Sequence, residues 1–237
     1  MAVLEAVESG SGTFTAIVEA TGFTRTTTHR MLKALEGHGL LEPIVGGGYR
    51  LGPRLLRLAA SLAREVPLRD VARPAMLRLA RETGESAQLY VRSEDERICI
   101  DAVESDSELR TIVRVGAPLP LTAGSAGKVF LAWTSEQDRE RLLGKVRPYT
   151  KSTPDAGRLR TEIAGVRKRG WASSAGEREP GVASVSAPIC DPRGDLVGVI
   201  SVSGPETRLG RSHALRYAPT VVAAAREIES SLVPSSG

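Results

Sequence analysis

The sequence predicts two domains of different class: a mainly α domain over residues 1–52 and an α+β domain over residues 67–237, joined by a linker helix over residues 53–66. Three observations lead to this prediction. The first 50 residues read as short helices followed by a glycine-tipped strand pair. Prolines 53 and 67 bracket a helical pattern. From Glu85 onward the hydrophobic period changes to two, which is typical of strands. A chain of 237 residues is long enough for both domains.

The N-terminal segment predicts the order helix, helix, turn, basic helix and β-hairpin. VLEAVESG and TFTAIVEATG are helical patterns, and the second begins at or near Thr13. A helix over residues 24–36 follows the TGF turn; Thr24 is suited to its N-cap, and Gly37 and Gly39 to its end. LLEPIVGGGYRLGP then gives two strands around three glycines. This order predicts a winged helix-turn-helix, whose second helix enters the major groove of DNA.

A helical wheel of residues 24–36, centred on Met31, separates an apolar face from a basic one. We expect Thr27 and Thr28 to point inward, where short side chains let another helix approach, and Arg50 to reach the DNA backbone or minor groove from the hairpin. Any amphipathic surface helix can carry a charged face, so the prediction depends on where the charges lie. The residues predicted to bind DNA are Thr13, Thr24, Arg25, Thr26, Thr28, His29, Arg30, Lys33, Tyr49 and Arg50.

The composition is that of a folded protein, with 41% hydrophobic and 25% charged residues. No apolar run approaches the ~18–20 residues that span a bilayer, and the N-terminus has no signal-type pattern, so we expect a cytoplasmic protein without a membrane partner. Cys99 and Cys190 are too few for a disulfide framework or a thiolate metal site. The net charge of +4 is compatible with nucleic acid but not diagnostic. We expect no cofactor and no metal.

The second domain alternates strand and helix patterns. SAQLYVR and RICIDAV form one predicted hairpin, GVASVSAPIC and LVGVISVSG another, and LRTIVRVG a further strand. Predicted helices are LRDVARPAMLRLARETG, with a break or kink at Pro74, then SAGKVFLAW, EQDRERLLG, PDAGRLRTEIAGVRKRG and ALRYAPTVVAAAREIESSL. An antiparallel sheet with helices packed on it is an α+β domain.

These segments resemble the IclR family of bacterial transcriptional regulators. The resemblance lies in TGFTRTTTHRMLKALEGHGLLE, YRLGPRLLRLA, LTAGSAGKVFLAW, RKRGWASSAGEREPGVASVSAPICD and LVGVISVSGP, which follow one another in the family's order. The first helix has only about eight residues before Ser9, shorter than the family's usual start. The resemblance implies a GAF-like, ligand-sensing second domain. A homodimer or a dimer of dimers would bind a near-palindromic operator in double-stranded DNA.

A candidate effector pocket lies where strand serines meet a helix start. Ser184 and Ser186 share one strand face, Ser201 and Ser203 share another, and hydroxyls on apolar strands can line a pocket. In LTAGSAGK, the first amides of a helix could hold a carboxylate. The resemblance implies the same positions, together with the loop around Ser174. The predicted effector-binding residues are Leu119, Ser125, Ala126, Ser174, Val182, Ser184, Ser201 and Ser203.

Other readings of these residues stay open. The serines could instead face solvent or bond to backbone, and Gln88, Tyr90 and Cys99 on neighbouring strands could belong to the pocket, the core or the surface. GEREPG, which holds Glu177 and Glu179, reads as a charged loop rather than an acid/base pair.

The leading hypothesis is a sequence-specific transcriptional regulator whose operator affinity is modulated by a small organic acid or amino acid, that is, a carboxylate-type metabolite. One alternative is an enzyme that converts a small acid in the second domain. TAGSAGKV lacks the first glycine and the final Ser/Thr of a P-loop, and no G-x-S-x-G or H-E-x-x-H motif occurs, so we expect no enzyme. The other alternative is a redox-responsive sensor acting through Cys99, although a cysteine in an apolar strand is usually inert.

Overall fold

The chain forms two compact units, Met1–Pro67 and Leu68–Gly237. The computed structural model describes residues 1–58 and 68–232. Of the predicted linker helix, residues 53–58 are helical, and the rest of it lies outside the described residues.

The N-terminal unit has the predicted order of three helices and a two-stranded antiparallel hairpin. Its small apolar core combines residues from all three helices and the first strand: Val3, Val7, Ile17, Leu32 and Leu41. The elements are α1 (Ala2–Glu8), α2 (Phe14–Thr21), α3 (Arg25–Gly37), β1 (Leu41–Pro43) and β2 (Tyr49–Leu51).

Threonine side chains begin both α2 and α3. The Thr13 hydroxyl accepts a hydrogen bond from the Ala16 amide at 3.3 Å, and the Thr24 hydroxyl accepts one from the Thr27 amide at 3.3 Å. Both cap residues have extended backbone angles, as an N-cap requires. The predicted cap at Thr24 is confirmed, and it explains why a poor helix former stands there.

Replacing Thr24 with alanine should lower the free energy of unfolding by about 1 kcal/mol, because the Thr27 amide then loses its partner. The matched control is Thr26→Ala, since Thr26 is exposed and lies one residue inside the helix. Alanine is the better helix former at an interior position, so the control should be as stable as the wild type or slightly more so. Urea unfolding followed by circular dichroism measures both. Equal losses in the two variants would show that the cap contributes nothing.

The buried side of α3 agrees only in part with the predicted one. Thr28 and Leu32 are fully buried, whereas Thr27 is exposed and Met31 keeps 40% of its surface accessible. The Thr27 hydroxyl lies 2.9 Å from that of Thr24, so it completes the cap instead of packing inward. The wheel centred on Met31 was therefore right for Thr28 and wrong for Thr27 and Met31, because side-chain size and polarity alone do not show which row of a helix meets its neighbours.

The C-terminal unit is built on a six-stranded antiparallel sheet with the order β5-β4-β3-β8-β7-β6. Both predicted hairpins are present, and β3 joins them by pairing with β8. The strands are β3 (Ser86–Ser93), β4 (Glu96–Val103), β5 (Pro118–Pro120), β6 (Ala172–Ala175), β7 (Val182–Cys190) and β8 (Leu196–Pro205).

Helices cover both faces of this sheet. One face packs on the first and last helices of the unit, and the other on the four helices between β5 and β6. Strand β8 shows the division, because Ile200 and Val202 belong to the first core and Val199 to the second. The helices are α4 (Leu68–Thr83), α5 (Ser125–Trp133), α6 (Glu136–Leu143), α7 (Ala156–Ala164), α8 (Val166–Arg169), α9 (Glu206–Leu209) and α10 (Arg211–Leu232).

Three local predictions were wrong. Residues 109–116 are not a strand: Thr111 and Val113 are buried, but backbone pairing with β4 begins only at the Gly116 amide, which bonds the Cys99 carbonyl. The alternation of residue types in this segment therefore reflected which side chains are buried, and not backbone hydrogen bonding to a neighbouring strand. The helix predicted over residues 154–170 divides into α7 and α8 at Gly165. Of the break or kink predicted at Pro74, the break is absent, because α4 continues through that residue. Ser174 lies in β6, not in a loop.

No helix within residues 1–58 and 68–232 is long and apolar enough to cross a membrane.

Candidate functional site

The outer face of α3 is exposed and carries most of the residues predicted to bind DNA. Arg30 and His29 make no ion pair or side-chain hydrogen bond with any residue that the structure describes. Lys33 pairs with Glu36 at 3.1 Å, and the Arg25 guanidinium lies 5.0 Å from the centre of the Phe14 ring. Such exposed pairs contribute little, so both cations remain available to phosphates. The exposed members of this face are Thr24, Arg25, Thr26, His29, Arg30 and Lys33.

Thr28 does not belong to this face. It is 0% exposed, and its hydroxyl has no hydrogen-bond partner among the described residues. Its prediction as a DNA-binding residue was wrong, because it lies in the row of α3 that packs on the core of the unit.

The hairpin places its two predicted residues differently. Arg50 is exposed and pairs with Glu42 on the opposite strand at 2.8 Å. Tyr49 is half-buried, with its ring against the core and its amide bonded to the Gly12 carbonyl at 2.7 Å. Tyr49 therefore anchors the hairpin, whereas Arg50 is accessible to a ligand.

A chain of serine hydroxyls links the start of α5 to three strands. The Ser125 Oγ lies 2.6 Å from the Ser184 Oγ and 2.7 Å from the Ser186 Oγ. Ser186 donates to the Ser201 Oγ at 2.8 Å, and Ser174 lies 2.9 Å from Ser184. These strand serines face inward, so the alternative in which they face solvent is wrong.

A second polar contact, on the same face of the sheet as the serine chain, involves β3. Ser203 donates to the Gln88 Oε1 at 3.0 Å, and both residues are buried. Gln88 pairs in register with Ser201, so the polar side chains continue along the same face of the sheet. Tyr90, the next inward residue of β3, belongs to the apolar core under α5.

Two buried charges, absent from the predicted site, hold the start of α5 against the segment after β6. The Lys128 Nζ lies 2.5 Å from the Glu177 Oε1 and donates to the Ser173 carbonyl at 2.9 Å. The other oxygen of Glu177 accepts a hydrogen bond from the Gly124 amide at 3.2 Å. Glu177 is 2% exposed, so it is not part of a solvated loop.

A cavity of about 400 Å³ lies beside this ion pair. Among the described residues, Ser174 is the one predicted effector-binding residue in its lining. Leu119 lies in the core under α5, and Val182 starts β7 at the same strand end as Ser184. The lining consists of Lys128, Glu162, Arg169, Trp171, Ser173, Ser174 and Glu177. The structure thus brings the predicted serines together and adds a charged pair beside them.

The position of Cys99 does not favour a redox sensor. The thiol is fully buried and donates to the Asp101 carbonyl at 3.3 Å. Burial raises the pKa of the Cys99 thiol to about 11, so the reactive thiolate is scarce at neutral pH.

We expect the Cys99 thiol to react with Ellman's reagent only after unfolding, and Cys99→Ser to leave DNA binding insensitive to peroxide, as in the wild type. The half-buried Cys190 serves as the internal comparison, through Cys190→Ser. Fast labelling of Cys99 in the native protein would contradict the assignment.

Comparison with known proteins extends these observations to the whole chain. The family model described as "Bacterial transcriptional regulator IclR C-terminal" matches residues 60–230, and the IclR helix-turn-helix domain matches residues 1–43. The regulator BhcR of Paracoccus denitrificans is 30% identical over 237 residues, covering 98% of this chain and 85% of the relative. The glycerol operon regulatory protein of Streptomyces coelicolor is 33% identical over 215 residues, covering 89% of this chain and 83% of the relative.

Solved structures share the fold over the same length. An IclR homologue of Microbacterium hydrocarbonoxydans, crystallised with 4-hydroxybenzoate, matches with a TM-score of 0.86 at 27% identity and covers 99% of this chain and 97% of that one. A transcriptional regulator of Rhodococcus matches with a TM-score of 0.81 at 26% identity, covering 98% of this chain and 95% of that one. The chain therefore belongs to the IclR family of transcriptional regulators, and it is a DNA-binding regulator and not an enzyme.

Proposed function

We propose that this regulator binds a near-palindromic operator as a homodimer or a dimer of dimers, and that a small carboxylate-type metabolite bound in its C-terminal unit changes its operator affinity. The proposal places its action in the cytoplasm, with the operator. The observation that carries it is the serine chain, in which hydroxyls from three strands are linked to the first residue of α5 through Ser184 and Ser186.

The start of α5 suits an anion. The first amides of a helix lack intrahelical partners, and the helix dipole favours negative charge there. Ser125 and Ala126 supply these amides, and a serine hydroxyl can donate to an anion when it turns from its present acceptor. Glu177 already uses the Gly124 amide for its carboxylate, which supports the view that this end of α5 attracts carboxylates.

The exposed cations of α3 support the DNA-binding half of the proposal. Arg and Lys bind phosphates, and Arg can also bind guanine through two hydrogen bonds in the major groove. Two copies of α3 in a dimer would read two half-sites one helical turn apart, which is why we expect a near-palindromic operator.

A relative supports the ligand class. The Microbacterium hydrocarbonoxydans homologue was crystallised with 4-hydroxybenzoate, which is a small carboxylate. We therefore take aromatic and aliphatic monocarboxylates as the first candidates for this chain.

The test begins with selection of an operator from random duplex DNA by the purified full chain. Fluorescence anisotropy at fixed salt then measures operator affinity with and without a panel of small carboxylates and their uncharged amides. We expect at least one carboxylate to change the affinity by about 5- to 150-fold, as typical coupling energies give, and its amide to have no effect. Selection of no preferred sequence would refute operator binding, and equal responses to acid and amide would refute a carboxylate effector.

A further inference from the structure

Arg97 is a buried cation without a counter-ion among the residues that the structure describes. It lies on β4 and is 4% exposed, and burial lowers the pKa of its guanidinium to about 10. A buried charge is costly unless it is paired. The other strongly buried charges in residues 68–232 have such partners: Lys128 with Glu177, Asp101 with Arg73, and Glu85 with Arg208.

One edge of the Arg97 guanidinium is unused. Its Nη1 donates to the carbonyls of Pro120 and, at 3.1 Å, Ala123. Its Nε is buried without a hydrogen-bond partner in the described part of the chain. The side-chain hydrogen bonds of Arg97 to described residues all involve Nη1, so Nη2 makes none there. The N–H groups of Nε and Nη2 are parallel and form the fork that binds a carboxylate through two hydrogen bonds. The atoms left free are therefore the pair suited to a carboxylate.

Nη2, one of the two unused atoms, faces the residue before α5. A Cβ atom placed on Gly124 would lie 3.1 Å from Nη2, so a larger residue there would crowd this atom. Gly124 is the residue before α5, and its left-handed φ of 89° also requires glycine. Arg97 pairs in register with Leu119, so both side chains lie on the face that α5 covers.

The Tyr90 ring lies beside the guanidinium without neutralising it. The ring centre lies 5.4 Å from the guanidinium carbon, a cation–π distance at which the ring compensates the charge less than a carboxylate does.

We propose that Arg97 binds the carboxylate of the effector through Nε and Nη2, with the first amides of α5 as the second set of donors. This inference rests on the proposed function and names the residue that binds the carboxylate of its ligand. The competing explanation is a structural arginine that only holds the carbonyls of the segment between β5 and α5. That explanation gives the Nη1 contacts a purpose but leaves the Nε–Nη2 edge without one.

The experiment uses sodium acetate as the probe, because acetate presents a carboxylate with the smallest possible remainder. Thermal unfolding of the full chain is followed at constant ionic strength, with sodium chloride replacing acetate, since a ligand that binds the native state raises Tm in a saturable way. We expect such a rise for the wild type with acetate and none with acetamide. In Arg97→Lys, which keeps the charge but loses the fork, the acetate Kd should be at least about tenfold weaker.

Arg97→Met should abolish the response to acetate, and Arg193→Met, at an exposed arginine in the β7–β8 turn, should leave it unchanged. A direct readout is the ¹⁵N–¹H signal of the arginine Nε–H that is missing in Arg97→Lys; acetate should shift it in the wild type. The Arg97→Lys variant keeps the inference falsifiable if Arg97→Met does not fold.

A wild type without a saturable response to acetate, or variants at Arg97 that respond equally, would overturn the inference. The proposed function is judged separately, because operator selection and its response to larger acids do not depend on acetate. If the operator responds to a carboxylate while acetate binds independently of Arg97, the inference fails and the proposed function stands.

Discussion

Replacing Lys128 with methionine is expected to lower the free energy of unfolding by about 3–5 kcal/mol at neutral pH. The substitution keeps the length of the side chain but leaves the buried carboxylate of Glu177 without its cation, 2.5 Å away in the wild type. Breaking a buried ion pair from one side is costly because the remaining charge stays out of water. Glu162, which also approaches Lys128 at 2.6 Å, loses the same partner. Equilibrium unfolding in urea measures the change.

The matched control is Lys145→Met. Lys145 approaches Asp95 at 2.6 Å, nearly the same separation, but its side chain is 57% exposed. An exposed pair of this kind contributes about 0–1 kcal/mol. The double variant Lys128→Met with Glu177→Met should recover part of the loss, since an apolar pair replaces the buried ions. Similar losses in Lys128→Met and Lys145→Met would show that burial does not govern the energy of these contacts.

Removing the free cations of α3 is expected to weaken operator binding by about tenfold or more for each substitution. Arg30→Ala removes an exposed guanidinium that has no competing partner in the described chain, and Lys33→Ala removes a cation held only by Glu36. If Arg30 binds a base edge, its loss costs about 1–3 kcal/mol and relaxes sequence preference at one position. If Lys33 binds phosphate, its loss weakens all sequences alike.

Salt dependence separates these two contributions. Each lost phosphate contact should reduce the slope of log K against log salt by about 0.9, and a dimer loses two contacts for each substitution. Arg193→Ala, in the β7–β8 turn of the other unit, removes an equal charge and serves as the control. Unchanged affinity in both Arg30→Ala and Lys33→Ala at fixed salt would contradict the assignment of α3 as the recognition helix.

Local sequence signals predicted most of the elements. The bounds of α5 agree with the segment SAGKVFLAW, and the cap at Thr24 follows from one side chain and its neighbours. Both β-hairpins of the sheet follow from alternation around polar turns. These features depend on residues close in sequence, where propensity and periodicity are informative.

The features that the sequence did not predict depend on distant partners. Lys128 and Glu177 are 49 positions apart, and GEREPG alone gives no sign that one of its carboxylates is buried. The carbonyls that bind Nη1 of Arg97, and so leave its other edge free, lie more than 20 residues away in the sequence. Strand β6 has only four residues, so its alternation was too short to separate Ser174 from a loop. The inward serines could be predicted because hydroxyls on otherwise apolar strands contrast with their neighbours.

The serine chain has a direction, because each hydroxyl has a single hydrogen. Ser201 donates to the Val185 carbonyl at 3.3 Å and accepts from Ser186, so Ser186 must accept from Ser125. The same logic makes Ser184 donate to Ser125 and Ser174 donate to Ser184, which leaves only lone pairs of Ser174 for the cavity. A carboxylate beside Ser174 would require every hydroxyl to rotate the other way, and Ser201 would lose its long contacts with the carbonyls of Val185 and Val202. The row of serines can therefore order its hydrogens in either of two directions, and the direction determines whether Ser174 offers a lone pair or a hydrogen to the cavity.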